Sequence, residues 1–230
     1  MKSSPASRGR MNAERPPPRL YLVTPVLGDT APFARDLDAV LAAGDIAAVL
    51  LRLEDTDERT LINRAKTVAA IVQSRDIALL LDGHPEIAVR AGVDGAHLTG
   101  TDALIAAVGT LKPDRIAGAG GLHSRHDAML AGESGADYVM FGEPDRRGNR
   151  APFEAILERI RWWAEVFELP CVGYAASRDD VALLAQAGAD FIALGDWIWT
   201  QPAGPVGAIE TASAALIAPA RERANDPHSA

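Results

Sequence analysis

From Leu20 onwards, short unbroken apolar runs alternate with longer stretches in which apolar residues recur every three or four positions. Runs of the first kind predict strands buried on both faces, as in a parallel sheet covered by helices. Stretches of the second kind predict amphipathic helices. The clearest case is Ile77-Ala78-Leu79-Leu80-Leu81, closed by Asp82 and followed by a helix-compatible segment Pro85–Ala91 and a second apolar piece, Gly95-Ala96-His97-Leu98. A helix between two such strands is a right-handed crossover unit. Eight pairs of this kind can be counted, with strands at 20–24, 46–52, 77–81, 95–98, 115–118, 137–141, 171–174 and 191–194. Their helices are predicted at 32–42, 57–73, 85–91, 102–109, 125–134, 152–167, 178–187 and 206–217.

An internal echo supports the alternation. Ala91-Gly92-Val93-Asp94-Gly95, Ser134-Gly135-Ala136-Asp137-Tyr138 and Ala187-Gly188-Ala189-Asp190-Phe191 share the form small-Gly-small-Asp before a strand. Such a glycine ends a helix in a left-handed turn, and the aspartate opens the next strand. The expected fold class is α/β, a single-domain (β/α)8 TIM barrel over 19–218. An open doubly wound sheet is the alternative, but no G-x-G-x-x-G follows the first strand. Residues 1–18, rich in Ser, Arg and Pro, predict a disordered leader, and 219–230 a flexible tail.

Composition narrows the partners. With 48% hydrophobic residues, the chain has enough apolar material for one large core. A net charge of -8 and the lack of a basic stripe argue against a nucleic-acid partner. No apolar stretch reaches the ~18 residues of a membrane span, so no membrane partner is expected. The lone cysteine, Cys171, lies in an apolar run and fits a reducing, cytoplasmic setting. The adjacent Trp162 and Trp163 suggest a packing surface and hence a homo-oligomer.

In a barrel of this kind the carboxyl ends of the strands converge on one site. Asp82 and Asp102 fall there and could share a Mg²⁺, which favours one or two carboxylates plus substrate phosphate oxygens; each could equally cap a helix or close a turn. Arg52 ends an apolar strand, where a charge needs a partner. It faces an anion in the pocket or pairs with Glu54 or Asp82. Ser124 either caps the helix near Arg125 or, with His126, faces substrate at a helix N-terminus. Arg146 and Arg147 sit in the glycine-flanked loop Glu143–Asn149, where they clamp a phosphate or form a solvated loop. His97, inside a strand, reads as a core histidine.

These residues together carry a family resemblance. Tyr21-Leu22-Val23-Thr24, Leu51-Arg52, Asp82, the run DGAHLTGTD from Asp94 to Asp102, Ser124-Arg125-His126, and Gly135 to Val139 with Phe141-Gly142 resemble thiamine-phosphate synthase. The likeness extends from about residue 20 to residue 200 and takes in the related thiazole tautomerases. It implies a (β/α)8 enzyme that joins hydroxymethylpyrimidine diphosphate to a thiazole phosphate and releases diphosphate with Mg²⁺. The site residues it implies are Asp82 and Asp102 on the metal, Arg52, Ser124 and Gly195 on substrate, and His126 as the catalytic residue; Arg146 and Arg147 join the substrate-binding set from their place in the loop, not from the resemblance. Several phosphate-binding positions of the family are altered: Glu54 stands for a lysine, Glu143 to Gly148 for a T-x-T-K loop, and Tyr174-Ala175-Ala176 for G-G-I. The alternatives are therefore a thiazole tautomerase-like isomerase or an inactive binding or regulatory paralogue.

Overall fold

The computed structural model describes residues 16–217. The leader expected over 1–18 lies outside these residues except for Pro16, Pro17 and Pro18, which form no regular element. The tail expected over 219–230 lies wholly outside them.

Eight parallel strands close into a barrel in sequence order. They are β1 (Arg19–Leu27), β2 (Ile46–Leu53), β3 (Ala78–Asp82), β4 (Gly95–Thr99), β5 (Ile116–Gly120), β6 (Tyr138–Phe141), β7 (Cys171–Ala175) and β8 (Phe191–Leu194). The helices between and after them are α1 (Thr30–Ala42), α2 (Glu58–Val72), α3 (Pro85–Ala91), α4 (Thr101–Leu111), α5 (Arg125–Glu133), α6 (Phe153–Val166), α7 (Arg178–Gln186) and α8 (Gly204–Ile217). The expected (β/α)8 TIM barrel is the observed fold, and most element boundaries fall within two residues of those predicted. The largest difference is β1, which runs on to Leu27. There Thr24 and Pro25 stand opposite Leu51 alone, because the pairing passes from Val23↔Leu50 to Val26↔Arg52. A bulge of this kind absorbs the proline and re-aims the side chain beside it.

Side-chain alternation along each strand separates two apolar layers. Leu22, Val49, Leu51, Leu79, Leu81, Leu98, Val139, Ile192 and Leu194 face outward into the helices and are buried. Tyr21, Val23, Leu50, Leu80, Tyr138, Met140, Val172 and Tyr174 fill the interior. Burial of each such large side chain contributes roughly 1.5–3 kcal/mol. Two glycines of β5 make room for the bulky interior residues. A Cβ on Gly118 would stand 2.2 Å from the Tyr138 hydroxyl, and one on Gly120 would stand 2.4 Å from His97 Nε2.

The repeated small-Gly-small-Asp segments act as expected and do more. Gly92, Gly135 and Gly188 have φ of 75°, 100° and 98°. The aspartate two residues on then latches the preceding strand. Asp94 accepts from the Leu79 amide at 2.8 Å, Asp137 from Ala117 at 2.7 Å and Asp190 from Cys171 at 2.8 Å. In return each aspartate amide donates to the carbonyl of that same residue, at 2.8–2.9 Å. Each latch therefore ties two neighbouring strands at the amino end of the barrel.

Of the tryptophan pair, Trp163 is interior and only Trp162 reaches the surface in part. Trp163 is 1% exposed, and its indole donates to the Leu169 carbonyl at 2.8 Å. Trp162 is half-buried, edge-on to Phe167 and covered by the Arg125 guanidinium at 4.8 Å. Both rings pack on Phe167, and Trp163 also packs on Phe141 of β6, because α6 turns this face onto β6 and its own C-terminal segment. Among the described residues no helix is long and apolar enough to cross a membrane.

Candidate active site

Two polar positions continue the inward rows of the barrel interior up to its mouth. Arg52 follows Ala48 and Leu50 on β2, and Asp82 follows Ala78 and Leu80 on β3. Arg52 is held from two sides. Its Nε donates to the Thr24 carbonyl at 2.5 Å, its amide donates to Thr24 Oγ1 at 3.0 Å, and its guanidinium pairs with Asp196. Asp196 opens a short 3-10 turn, Asp196–Trp199, after β8. The partner is thus neither Glu54 nor Asp82, as the sequence suggested. Closure of the barrel brings the β8 loop beside β1 and β2, a neighbourhood that sequence distance conceals. Glu54 instead lies over Gly28, where a Cβ would meet its carboxylate.

The predicted metal carboxylates are unencumbered. Asp82 ends β3, Asp102 lies in the first turn of α4, and both are exposed. Neither has a hydrogen bond or ion pair among the described residues. Among those residues no three His, Cys, Asp or Glu side chains form a metal-binding group. A pair of free carboxylates that leaves most positions to water and substrate oxygens is nonetheless a donor set that suits Mg²⁺.

Ser124 is a helix cap in a full capping box. Its hydroxyl accepts from the Asp127 amide at 3.1 Å, and the Asp127 carboxylate accepts from the Ser124 amide at 2.9 Å. Burial opposes ionisation of Asp127, but hydrogen bonding to its carboxylate from Ser124 and from the His123 amide lowers its pKa overall. His126 lies exposed in the first turn of the same helix. Arg146 and Arg147 are exposed in a loop organised by Asp145, whose carboxylate accepts from Arg147 N at 2.8 Å and Asn149 N at 2.9 Å. Gly195 packs against Tyr174, where a Cβ would stand 2.5 Å from the phenol oxygen. No hydrogen bond or ion pair joins any two of Arg52, Asp82, Asp102, Ser124, His126, Arg146 and Arg147 among the described residues. The barrel brings them to one end without making them touch.

Two features escaped the sequence reading. The first is Arg150, which donates to the Gly142 carbonyl at 2.5 Å and the Tyr174 carbonyl at 2.8 Å and faces Asp180 at 3.5 Å. It fastens the carboxyl ends of β6 and β7 to the start of α7. Tyr174, beneath its guanidinium, has its pKa raised by burial and by Asp196, with Arg52 and Arg150 pulling the other way.

The second is a polar thread through the interior. Tyr21 and Tyr138 share a hydroxyl–hydroxyl bond of 2.8 Å, and Tyr138 lies 2.8 Å from His97 Nδ1. The hydroxyl of Tyr21 has no other hydrogen-bond partner among the described residues, so its proton is satisfied only if Tyr21 donates to Tyr138. Tyr138 then donates to Nδ1, and the neutral imidazole carries its proton on Nε2. That N–H faces Glu143 Oε1 at 3.9 Å. Burial pushes the Tyr21 and Tyr138 phenols up, and the carboxylates of Asp82 and Glu143 add to the rise in both. His97 is therefore the satisfied interior histidine expected from its position in a strand, 3% exposed. Its neighbours on β1 and β6 could not be named from spacing.

Fold and site together define a (β/α)8-barrel protein with a charged mouth suited to a small ligand. A model of the thiamine monophosphate synthase family matches residues 20–198. The thiamine-phosphate synthase of Rhodospirillum centenum is 42% identical over 194 residues, 83% of this chain and 94% of that protein. That of Hyphomonas neptunium is 36% identical over 208 residues, 87% of this chain and 94% of that protein. The solved thiamine phosphate pyrophosphorylase from Pyrococcus furiosus superposes with a TM-score of 0.68 at 22% identity, over 86% of this chain and 95% of that one. A 3-hexulose-6-phosphate synthase at TM-score 0.65 and 16% identity shares the fold alone. The chain belongs to the thiamine monophosphate synthase family.

Proposed function

We propose that this protein is a thiamine-phosphate synthase that joins hydroxymethylpyrimidine diphosphate to a thiazole phosphate and releases diphosphate. The observation that carries this reading is the match at 42% identity, which extends over 94% of a relative bearing that name. The structure adds a mouth with a fixed cation and two unencumbered carboxylates.

Asp82 and Asp102 would hold Mg²⁺ between them. When bound, the ion supplies charge neutralisation on the diphosphate oxygens. Arg52 has its orientation set by the Thr24 carbonyl and Asp196, so it meets an anion without a large loss of side-chain freedom. The amino end of α5, with Ser124 and His126, offers main-chain N–H groups and an imidazole to the same anion. Arg146 and Arg147 add positive charge from the loop after β6. The reaction separates charge between the leaving diphosphate and the pyrimidine carbon, so fixed groups at the mouth stabilise both ends as they form.

Purified protein given both substrates and Mg²⁺ is expected to form thiamine phosphate, with chelation of the metal and Asp102→Asn each abolishing product. Product formation that survives both treatments would remove the metal role of Asp82 and Asp102. A protein that makes no product at any substrate level is not a synthase.

A further inference from the structure

Glu143 is the carboxylate that neither the latches nor the metal pair accounts for. It follows Gly142 at the carboxyl end of β6 and turns inward over β5. A Cβ on Gly120 would stand 2.0 Å from Glu143 Oε1 and 2.4 Å from His97 Nε2, so the carboxylate and the Nε2 edge of His97 meet over Gly120. Its side chain is 18% exposed. Oε1 accepts from the Gly121 amide and faces the His97 N–H. Oε2 has no hydrogen-bond partner among the described residues.

The Glu143 carboxylate thus rests at the mouth on a filled interior. Tyr21, Tyr138 and His97 are each committed to one another below it, and the cations Arg52 and Arg150 pair elsewhere, with Asp196 and Asp180. The Glu143 carboxylate at this floor repels a phosphate. A carboxylate oxygen left unpartnered at such a floor offers itself to an N–H donor or a partial positive charge.

We infer that Glu143 is the specificity-determining residue for the heterocyclic end of the substrate, its Oε2 accepting from the N–H edge of an aminopyrimidine. This inference rests on the synthase reading above and names which end of the diphosphate substrate faces the floor. The phosphates are left to the rim, where Arg52 and the amino end of α5 stand. A carboxylate so placed also lies on the correct side to favour positive charge growing on the ring as diphosphate departs.

Two variants separate this role from stapling of the Gly121 loop. Glu143→Gln keeps an oxygen for the Gly121 amide but places an amide NH₂ or an uncharged oxygen toward the ligand, whereas Glu143→Ala loses both. The probes are hydroxymethylpyrimidine diphosphate and inorganic diphosphate, each titrated calorimetrically with Mg²⁺ present. The wild-type protein is expected to bind the heterocyclic probe more tightly than inorganic diphosphate. Glu143→Gln should weaken the heterocyclic probe by about 10-fold, the usual scale for loss of a charged hydrogen bond, and leave inorganic diphosphate unchanged. Glu143→Gln behaving as wild type, or both probes weakening together, would overturn the inference in favour of a staple. An altered Mg²⁺ requirement with an unaltered probe ratio would also overturn it, assigning the carboxylate to the cation. The two readings fail separately. A Glu143-dependent preference without turnover removes the synthase reading alone, and turnover without that preference removes this one alone.

Discussion

Substituting Tyr138 by phenylalanine tests the interior thread, because among the described residues that hydroxyl is the only link between two other buried groups. In Tyr138→Phe the Tyr21 hydroxyl and His97 Nδ1 both lose their partner, and Tyr21 and His97 are 2% and 3% exposed. An unsatisfied buried polar group costs about 1–3 kcal/mol, so the pair together costs about 2–6 kcal/mol. Tyr21→Phe removes only the terminal donor, and Tyr138 still donates to His97. Its cost is about 1 kcal/mol, the net value of one ordinary hydrogen bond. The double variant strands His97 alone. Adding Tyr21→Phe to Tyr138→Phe should therefore restore about 1 kcal/mol or more, although the same change destabilises the wild type. Urea unfolding monitored by tryptophan fluorescence measures all four corners of the cycle, with an unchanged m-value as the check on two-state behaviour. If Tyr21→Phe costs the same in both backgrounds, the thread is not a chain of dependent hydrogen bonds and the assigned His97 tautomer falls with it.

Three further outcomes follow from the same coordinates. All three tyrosines of the chain, Tyr21, Tyr138 and Tyr174, have phenols pushed above the ordinary value near 10, first by burial. The folded state therefore retains protons that the unfolded chain releases. Stability is unaffected below about pH 10 and falls as pH rises beyond it. Absorbance at the tyrosinate band should appear only with unfolding, and a tyrosinate signal from folded protein near that pH would contradict this. Ser124→Ala should cost about 1 kcal/mol through the lost cap and lower Tm by roughly 2–4 °C, with Ser124→Thr recovering most of it. A change in substrate KM on top of that, absent from Ser124→Thr, would show the hydroxyl serving ligand as well. Gly118→Ala forces a methyl to 2.2 Å from the Tyr138 hydroxyl and should destabilise by roughly 1–3 kcal/mol in thermal unfolding. A neutral result would mean that the interior has slack on β5.

The architecture was legible from the chain because its signals are local. Apolar runs such as Ile77–Leu81 mark buried strands wherever they occur, and the three Gly-x-Asp turns fix where helices hand over to strands. Arg52, Asp82 and Asp102 could be placed at the mouth for the same reason, since each sits at a known end of a known element. Their partners could not be, because pairing depends on which loops closure brings together. Arg52 meets Asp196 across 144 positions, and Tyr138 meets Tyr21 across 117. Glu143 shows the same limit in reverse. Its identity was visible as a departure from the family pattern, but its inward turn depends on Gly120 leaving space beneath it, which no spacing rule reports. Ser124 was readable either way, and the capping box with Asp127 is what the coordinates add.

The aspartate latches at Asp94, Asp137 and Asp190 have a consequence for how this scaffold tolerates change. They sit at the opposite end of the barrel from Arg52, Asp82, Asp102 and the other residues proposed to meet ligand, so the foundations and the proposed chemistry are built from separate positions. Loops at the mouth can lengthen, lose a glycine or exchange a lysine for an acid while the foundations stay fastened. A lineage of such proteins can therefore shift its substrate preference by rewriting the rim, one loop at a time, with little risk to the ring beneath.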